Sequence, residues 1–491
     1  MTAMTRTEFL VGAAALAAMR PRTVFGALAP SARGANLRIG VISDIHVRAR
    51  TGQFGTEHLV KALTWFRDRG VDGVVIAGDM ADDGLVSQLR HVADAWNAVF
   101  PKESGVEKLF VYGNHDIEGL SYNSKLKPVP EDIIATDRAA AWEKAFGEPY
   151  EPIWRKTIKG YAFIGAHWVS WKGVPEIERY MAEHADELRG DKPFFYIQHP
   201  HPANTCHGPW AWGHDEGLAT RALSRFPNAV AISGHSHHPL VDERSVWQGA
   251  FTSVGASSLR YIEPVFGREN SGPSANADLK QMPPIDMFSE KQGMLISVYD
   301  DRMVIERRDF ANDGKLGEDW VVPVPACGDS PLRFDVRAAA AKPPQFPADA
   351  KVSVAGPLDG KDRKGRPTRQ LIVTFPSAMT GEGLTRAYDY EVAAEVEECG
   401  TCRIAATKRV YSPGYFNMPE CESKTVKCVF ALSELGTRKA SYLNPTARFR
   451  VRAAESFGKA GEAICSDAIM VDSARYPSAC RAWRANQNRL V

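Results

Sequence analysis

The chain reads as an α/β domain followed by an all-β domain, and three observations carry that reading. Short β-rich runs alternate with amphipathic helical stretches through the first half, an order that builds a parallel sheet with helices on its faces. After a break rich in Ala and Pro, the pattern changes to short strands with period-2 alternation. All 13 His lie between His46 and His238, whereas seven of the 8 Cys lie between Cys327 and Cys480, so two chemistries occupy two halves of the chain. At 491 residues and 44% hydrophobic, the protein has room for two or three domains and is too apolar for disorder. Lys+Arg 60 against Asp+Glu 59 leaves a formal charge of +1, so no nucleic-acid partner is expected from net charge.

Residues 1–35 read as an export signal. Arg6 gives a basic start, an apolar stretch follows through Met19, and Ala27, Ala29, Ala32 and Ala35 supply a small-residue exit. Thr5-Arg6-Thr7-Glu8-Phe9-Leu10 resembles the twin-arginine signal in degenerate form, with Thr7 where the second Arg stands. The expectation is an exported protein, periplasmic or extracellular; an unprocessed apolar helix packed on the body is the alternative. No stretch approaches the about 20 apolar residues of a transmembrane helix.

In the first domain, Leu37–Ser43, Val74–Ile76 and Leu109–Tyr112 read as buried strands, separated by helical spacing at Leu59, Val60, Leu63 and Phe66 and again over Leu85–Val99. This βαβαβ order places functional loops at the C-terminal ends of the strands. Those loops carry Asp44-Ile45-His46, Gly78-Asp79-Met80-Ala81-Asp82 and Gly113-Asn114-His115-Asp116. Two later strands run into His199-Pro200-His201 and Gly234-His235-Ser236-His237. Carboxylate, imidazole and amide donors without a thiolate suit borderline transition ions.

In this order, D-x-H, G-D-x-x-D, G-N-H-D, a strand-ending His and G-H-x-H, the chain resembles the calcineurin-like metallophosphoesterases over roughly residues 36 to 325. The resemblance implies an αββα phosphoesterase domain over 36–330. It also implies a dinuclear site of two divalent or trivalent ions (Mn, Fe or Zn), with Asp44, His46 and His237 on one ion, Asn114, His199 and His235 on the other, and Asp79 bridging. Two ions about 3.5–4 Å apart bind phosphate oxygens and lower the pKa of a water between them, so that hydroxide attacks in line. His115 is implied as the catalytic imidazole, with Asp82 and Asp116 bonded to ligands or nearby backbone. His-Pro-His-Pro aligns in two registers; His199 directly ends its strand and is preferred, leaving His201 in the pocket. Asp83 stands where Ser/Thr protein phosphatases carry Arg, and His46 where purple acid phosphatases carry Gly. The resemblance is therefore to the bacterial phosphodiesterase and phosphatase branch, acting on a small phosphoester. The alternative is a non-catalytic binding or surface protein on the same scaffold.

Two insertions are candidates for substrate selection. Glu118–Pro152 offers Tyr122, and Ala203–Glu216 holds Trp210 and Trp212, which either stack on a base or sugar ring or form a lid that shields the site. Beyond a linker at 331–350, residues 351–475 read as a β-sandwich whose last hairpin resembles a fibronectin type III domain, followed by a tail at 476–491. Cys399, Cys402, Cys421 and Cys428 depart from zinc-knuckle spacing, and disulfides are the expectation for an exported chain.

Overall fold

The computed structural model describes residues 34–471 apart from 49–54, 208–214, 264–266, 272–281, 283, 327, 329, 362–363, 381–383, 399, 416–424 and 437–444. The expected signal up to residue 33, Trp210, Trp212, Cys327, Cys399, Cys421, Cys480 and the tail 476–491 therefore lie outside the described residues. No described helix is long and apolar enough to cross a membrane.

β1 (Leu37–Ile42), β2 (Gly73–Ala77) and β3 (Glu107–Val111) pair in parallel. β2 is buried along its whole length, as expected of a strand covered on both faces. α1 (Glu57–Asp68) and α2 (Val86–Val99) cover the outer face of this sheet. Their Leu59, Leu63, Phe66, Leu89, Val92 and Trp96 share a core with Ile42, Val74, Ile76 and Phe110. A short helix, α3 (Asn114–Glu118), opens directly after β3.

The second sheet is assembled from β4 (Ile153–Ile158), β5 (Tyr161–Ala166), β6 (Phe194–Ile197), β7 (Ala229–Ser233), β8 (Val246–Gln248) and β9 (Thr252–Gly255) in the order β4-β5-β6-β7-β9-β8. β5, β6, β7 and β9 run parallel, and β4 and β8 are antiparallel edges. β10 (Gln292–Val298), β11 (Arg302–Asp309), β12 (Gly314–Lys315) and β13 (Trp320–Pro323) return to the first sheet, with β10 antiparallel to β1. Val41, Val75, Leu109 and Val111 of one sheet meet Phe163, Phe195, Ile197, Val230 and Ile232 of the other in a common core. Each such side chain contributes about 1.5–3 kcal/mol by leaving water. Helices Ile177–Glu183 and Leu218–Leu223 close the far face of the second sheet.

Residues 331–350 hold a short helix, Phe334–Ala340, with a turn before it and chain without regular structure after it. Beyond it stand two further sheets. One contains β14 (Ser353–Lys361), β15 (Pro367–Pro376) and, after two intervening strands, β18 (Thr425–Ala431); the other is built on β16 (Asp389–Glu398), β17 (Thr401–Tyr411) and β19 (Thr446–Ala454). Leu371, Val373 and Phe430 from the first share a core with Tyr390, Val392, Phe449 and Val451 from the second. The period-2 pattern at Tyr390, Val392, Ala394 and Val396 points these residues inward, while Glu391 and Glu395 pair with Arg452, Arg448 and Arg450 on the outer face.

Among the described cysteines, Cys206, Cys402, Cys428 and Cys465, no disulfide joins one to another. Cys428 is buried in the core shared by the last two sheets, and Cys206 is buried against the Ser245 carbonyl. Cys402 on β17 and Cys465 on the strand Ile464–Cys465 are exposed, with β16 and β19 lying between them in the sheet, too far apart to bridge.

The C-terminal region does not hang free. Both regions fall in one compact unit, Ala35–Val491, and Tyr388, Tyr411 and Tyr415 join the core between the first two sheets. Asp242 is the polar centre of this junction. Its carboxylate accepts from Arg244 Nη2 at 2.6 Å and from Tyr415 Oη at 2.5 Å, and Arg244 in turn lies over the Tyr388 ring. Burial alone would raise the Asp242 pKa, but the Arg244 guanidinium holds it well below the usual carboxylate range. Breaking a buried pair strands the partner charge. Asp242→Asn is therefore expected to cost about 3–5 kcal/mol, read as a lowered urea midpoint; an unchanged midpoint would show that the junction does not depend on this charge.

Candidate metal centre

Sequence places the expected ligands at strand ends, and topology brings those ends to one edge. Asp44 and His46 follow β1, Asp79 follows β2, and Asn114 follows β3 on the first sheet; His199 follows β6, and His235 and His237 follow β7 on the second. Each chain turns sharply as it leaves its strand. Among the described residues, eleven non-glycine positions have positive φ, and Asp44, His46, Asp79, His235 and His237 are five of them, at φ 48 to 68. Such left-handed backbone costs on the order of 1–3 kcal/mol per residue and persists where the surroundings enforce it. Two glycines make the approach possible. A Cβ at Gly113 would collide with the Asp79 carboxylate, and one at Gly234 with the Ser43 hydroxyl and the Asp44 carboxylate.

The side chains form two sets that share Asp79. In the first, His237 Nε2 lies 3.0 Å from Asp44 Oδ1, and His46 Nε2 lies 3.8 Å from Asp44 Oδ1 and 3.7 Å from Asp79 Oδ2. In the second, His199 Nε2 is 3.1 Å from Asp79 Oδ2 and 3.0 Å from Asn114 Oδ1, with His235 Nδ1 at 3.2 Å. The groups Asp44, His46, Asp79, His237 and Asp79, His199, His235 each have ligand atoms within 4.8 Å of one another. All seven residues are buried, at 3% exposure or less.

The outward nitrogens decide what faces inward. His46 Nδ1 donates to Asp82 Oδ1 at 2.9 Å, His237 Nδ1 to the Tyr261 carbonyl at 2.9 Å, and His199 Nδ1 to the Ala77 carbonyl at 2.7 Å. A neutral imidazole has one N–H, so each of these rings turns an Nε2 lone pair toward the centre. The His46 and His237 lone pairs meet at 3.3 Å, and that of His199 faces two oxygens. Acceptors opposed in this way need a cation between them, a proton or a metal ion. The electrostatics agree. Burial would lower the pKa of His46, yet hydrogen bonds to Asp44 and Asp82 raise it to about 10. His199 is likewise raised against burial, to about 9, by the charge of Asp79. Burial would raise the pKa of Asp44 and Asp79, but His237 and His199 respectively pull them below the carboxylate range. Nitrogen and oxygen donors without a thiolate fit borderline divalent ions.

The remaining expected residues fall into place around this core. His115 lies beside it, ring 4.6 Å from that of His46, with its backbone N donating to Asp79 Oδ1 at 2.8 Å. Its Nδ1 donates to the Asp82 carbonyl at 2.9 Å, which leaves Nε2 as the titrating nitrogen of a side chain one quarter exposed. Burial lowers its pKa, with Asp79 acting in the opposite direction. Asp82 orients His46 and is held by Arg48. Asp116 accepts from the backbone N of Ala81 at 2.7 Å and of Gly113 at 2.8 Å, tying the β2 and β3 loops together. Burial and repulsion from Asp79 push its carboxyl up to about 7. His201 is not brought to the cluster: Ser233 and Ser236 hydroxyls occupy its two ring nitrogens at 2.7 Å each, and the ring is buried. Tyr122 is at the mouth, half exposed, its ring 4.7 Å from that of His115.

Several residues of the site escape a reading by motif. Tyr261 packs on His237 at 4.1 Å, while Trp168 and Trp171 approach His235 at 6.2 and 5.4 Å. The available signal was the Trp168-Val-Ser-Trp171 pair directly after β5, another strand ending at the same edge.

The match of one segment to a protein family agrees with this construction. Residues 37–239 match the family described as calcineurin-like phosphoesterase. No curated protein matches the chain. Among solved structures, the chain is similar to a dimetal phosphatase from Danio rerio, at 13% identity and TM-score 0.38, covering 59% of this chain and 99% of that one. It is also similar to the zinc complex of Vps29 from Entamoeba histolytica, at 13% identity and TM-score 0.27, covering 58% and 99%. A predicted phosphoesterase from Streptococcus pneumoniae is similar at 15% identity and TM-score 0.26, covering 58% and 97%. Residues 37–239 of this chain thus lie in a calcineurin-like metallophosphoesterase domain.

Proposed function

We propose that the protein is an exported dinuclear metal-dependent phosphoesterase that hydrolyses phosphodiester or phosphomonoester bonds. The observation that carries this reading is the pair of ligand sets that share the Asp79 carboxylate. Asp44, His46, His237 and Asp79 would hold one ion, and Asp79, Asn114, His199 and His235 the other. When bound, two such ions (Mn, Fe or Zn) would neutralise phosphate oxygens and make water a nucleophile at neutral pH.

The chain's own groups do the rest. Asp82 and the Tyr261 and Ala77 carbonyls fix three imidazoles in the tautomer that presents Nε2 inward. The His115 backbone N holds the shared carboxylate in place. The His115 ring, anchored through Nδ1, would deliver a proton from Nε2 to the leaving oxygen. Export is supported by the basic start at Arg6 and the apolar run that follows it. The C-terminal region is read as a fibronectin-type sandwich, supported by two sheets that share one core.

Removal of the shared carboxylate tests the dinuclear reading. Asp79→Ala is expected to lose metal and activity together, measured by elemental analysis beside turnover of bis-p-nitrophenyl phosphate; full turnover at unchanged metal content would sink the proposal. His115→Ala is expected to retain its metal while kcat falls by about 10²–10⁴. An undiminished kcat would remove His115 from the mechanism. Asp82→Ala should lower metal affinity or activity by about 10- to 100-fold, as measured by metal titration, and an unaltered titration would show that His46 needs no orienting carboxylate.

A further inference from the structure

Glu118 closes α3, three residues after His115 and four after Asn114. Its carboxylate collects three ring donors. Oε1 accepts from Trp168 Nε1 at 3.1 Å, and Oε2 accepts from Trp171 Nε1 at 3.0 Å and from Tyr122 Oη at 3.4 Å. Tyr122 Oη also accepts from Asn114 Nδ2 at 3.4 Å, which turns the amide so that Oδ1 faces His199. One acid therefore fixes three aromatic rings and, through Tyr122, the orientation of one proposed ligand.

The three rings differ in what they leave open. Trp168 is buried, its plane within 30° of the His235 ring. Trp171 is 39% exposed and Tyr122 52% exposed, although both are held by hydrogen bonds at the edge of the ligand cluster. Trp171 lies 5.4 Å from His235, and Tyr122 lies 4.7 Å from His115. Large rings that are fixed, half exposed and beside a phosphate site form a platform on which a flat group stacks. The charge of Glu118 adds a second preference. Through Tyr122 its carboxylate is two hydrogen bonds from Asn114, so at that site it would oppose the second negative charge of a monoester more than the single charge of a diester.

We propose that Tyr122 and Trp171, held by Glu118, form a subsite for a planar aromatic ester group, so that the preferred substrates are phosphodiesters bearing an aryl or nucleobase-containing substituent. The subsite rests on the phosphoesterase reading above. It acts on binding and specificity, not on the chemical step.

The test uses the full chain loaded with Mn, comparing bis-p-nitrophenyl phosphate with glycerophosphoethanolamine, an aliphatic diester. Trp171→Ala is expected to raise KM for the aryl diester about tenfold, equivalent to about 1.4 kcal/mol, with kcat within about twofold. The aliphatic diester should be unaffected, and Trp171→Phe should recover most of the aryl affinity. Equal losses on both diesters, or none on either, would overturn the subsite. Faster turnover of p-nitrophenyl phosphate than of its bis ester by the wild-type chain would overturn the diester preference. If the loaded wild type hydrolyses no phosphoester, the phosphoesterase reading fails separately. Calorimetric binding of diphenyl phosphate then decides the subsite: binding that Trp171→Ala abolishes supports it, and no binding by the wild type refutes it.

Discussion

The site depends on lone pairs and carboxylate oxygens converging on Asp79 from two sheets. Left alone, such a set repels itself, so the fold has to hold it together. It does so with left-handed backbone at Asp44, His46, Asp79, His235 and His237, and with glycines at the points where neighbouring loops touch. The strain is confined to the strand ends, while β2 and β7, behind Asp79, His235 and His237, are buried along their whole length. Rigid strands supply the positions, and the turns after them supply the directions. A cation at the centre would convert the repulsion into the strongest local attraction in the domain, which ties metal binding to the stability of the loops.

The C-terminal region bears on this arrangement through the loop that follows His237. Asp242 and Arg244 lie in that loop and are bound by Tyr415 and Tyr388 from beyond the linker. His238 donates to the Glu263 carbonyl, and the Glu263 backbone N returns to the His237 carbonyl. A few residues on, Glu269 N donates to the Arg409 carbonyl of β17, and Asn270 Oδ1 accepts from the backbone N of Tyr411. The second pair of sheets therefore buttresses two segments that follow a proposed ligand, one of them bonded back to its carbonyl, which gives a physical reason for the two regions to share a core.

How much of this was legible in sequence follows from the range of each interaction. Buried parallel strands such as Gly73–Ala77 announce themselves as apolar runs, and ligand motifs follow them at once, so the proposed ligands could be placed without coordinates. β4 carries no such signature, because Ile153-Trp-Arg-Lys-Thr-Ile158 is an antiparallel edge whose middle is polar and only partly buried. The Ala77 and Tyr261 carbonyls that orient His199 and His237 leave no trace in sequence, since every residue has one. His201 carried a motif's appearance, but two serines, one of them 35 residues away, decide its place. Glu118 is another case of this kind: its role depends on Trp168 and Trp171, about 50 residues further along the chain. Cysteine spacing is a related case, because it says nothing about the strands that lie between Cys402 and Cys465.

The most direct test of the central claim is anomalous diffraction from crystals of the full chain grown with Mn. The account predicts two peaks about 3.5–4 Å apart, one on either side of the Asp79 carboxylate, one bounded by His46 and His237 and the other by His199 and His235. A single peak, or peaks away from Asp79, would contradict it.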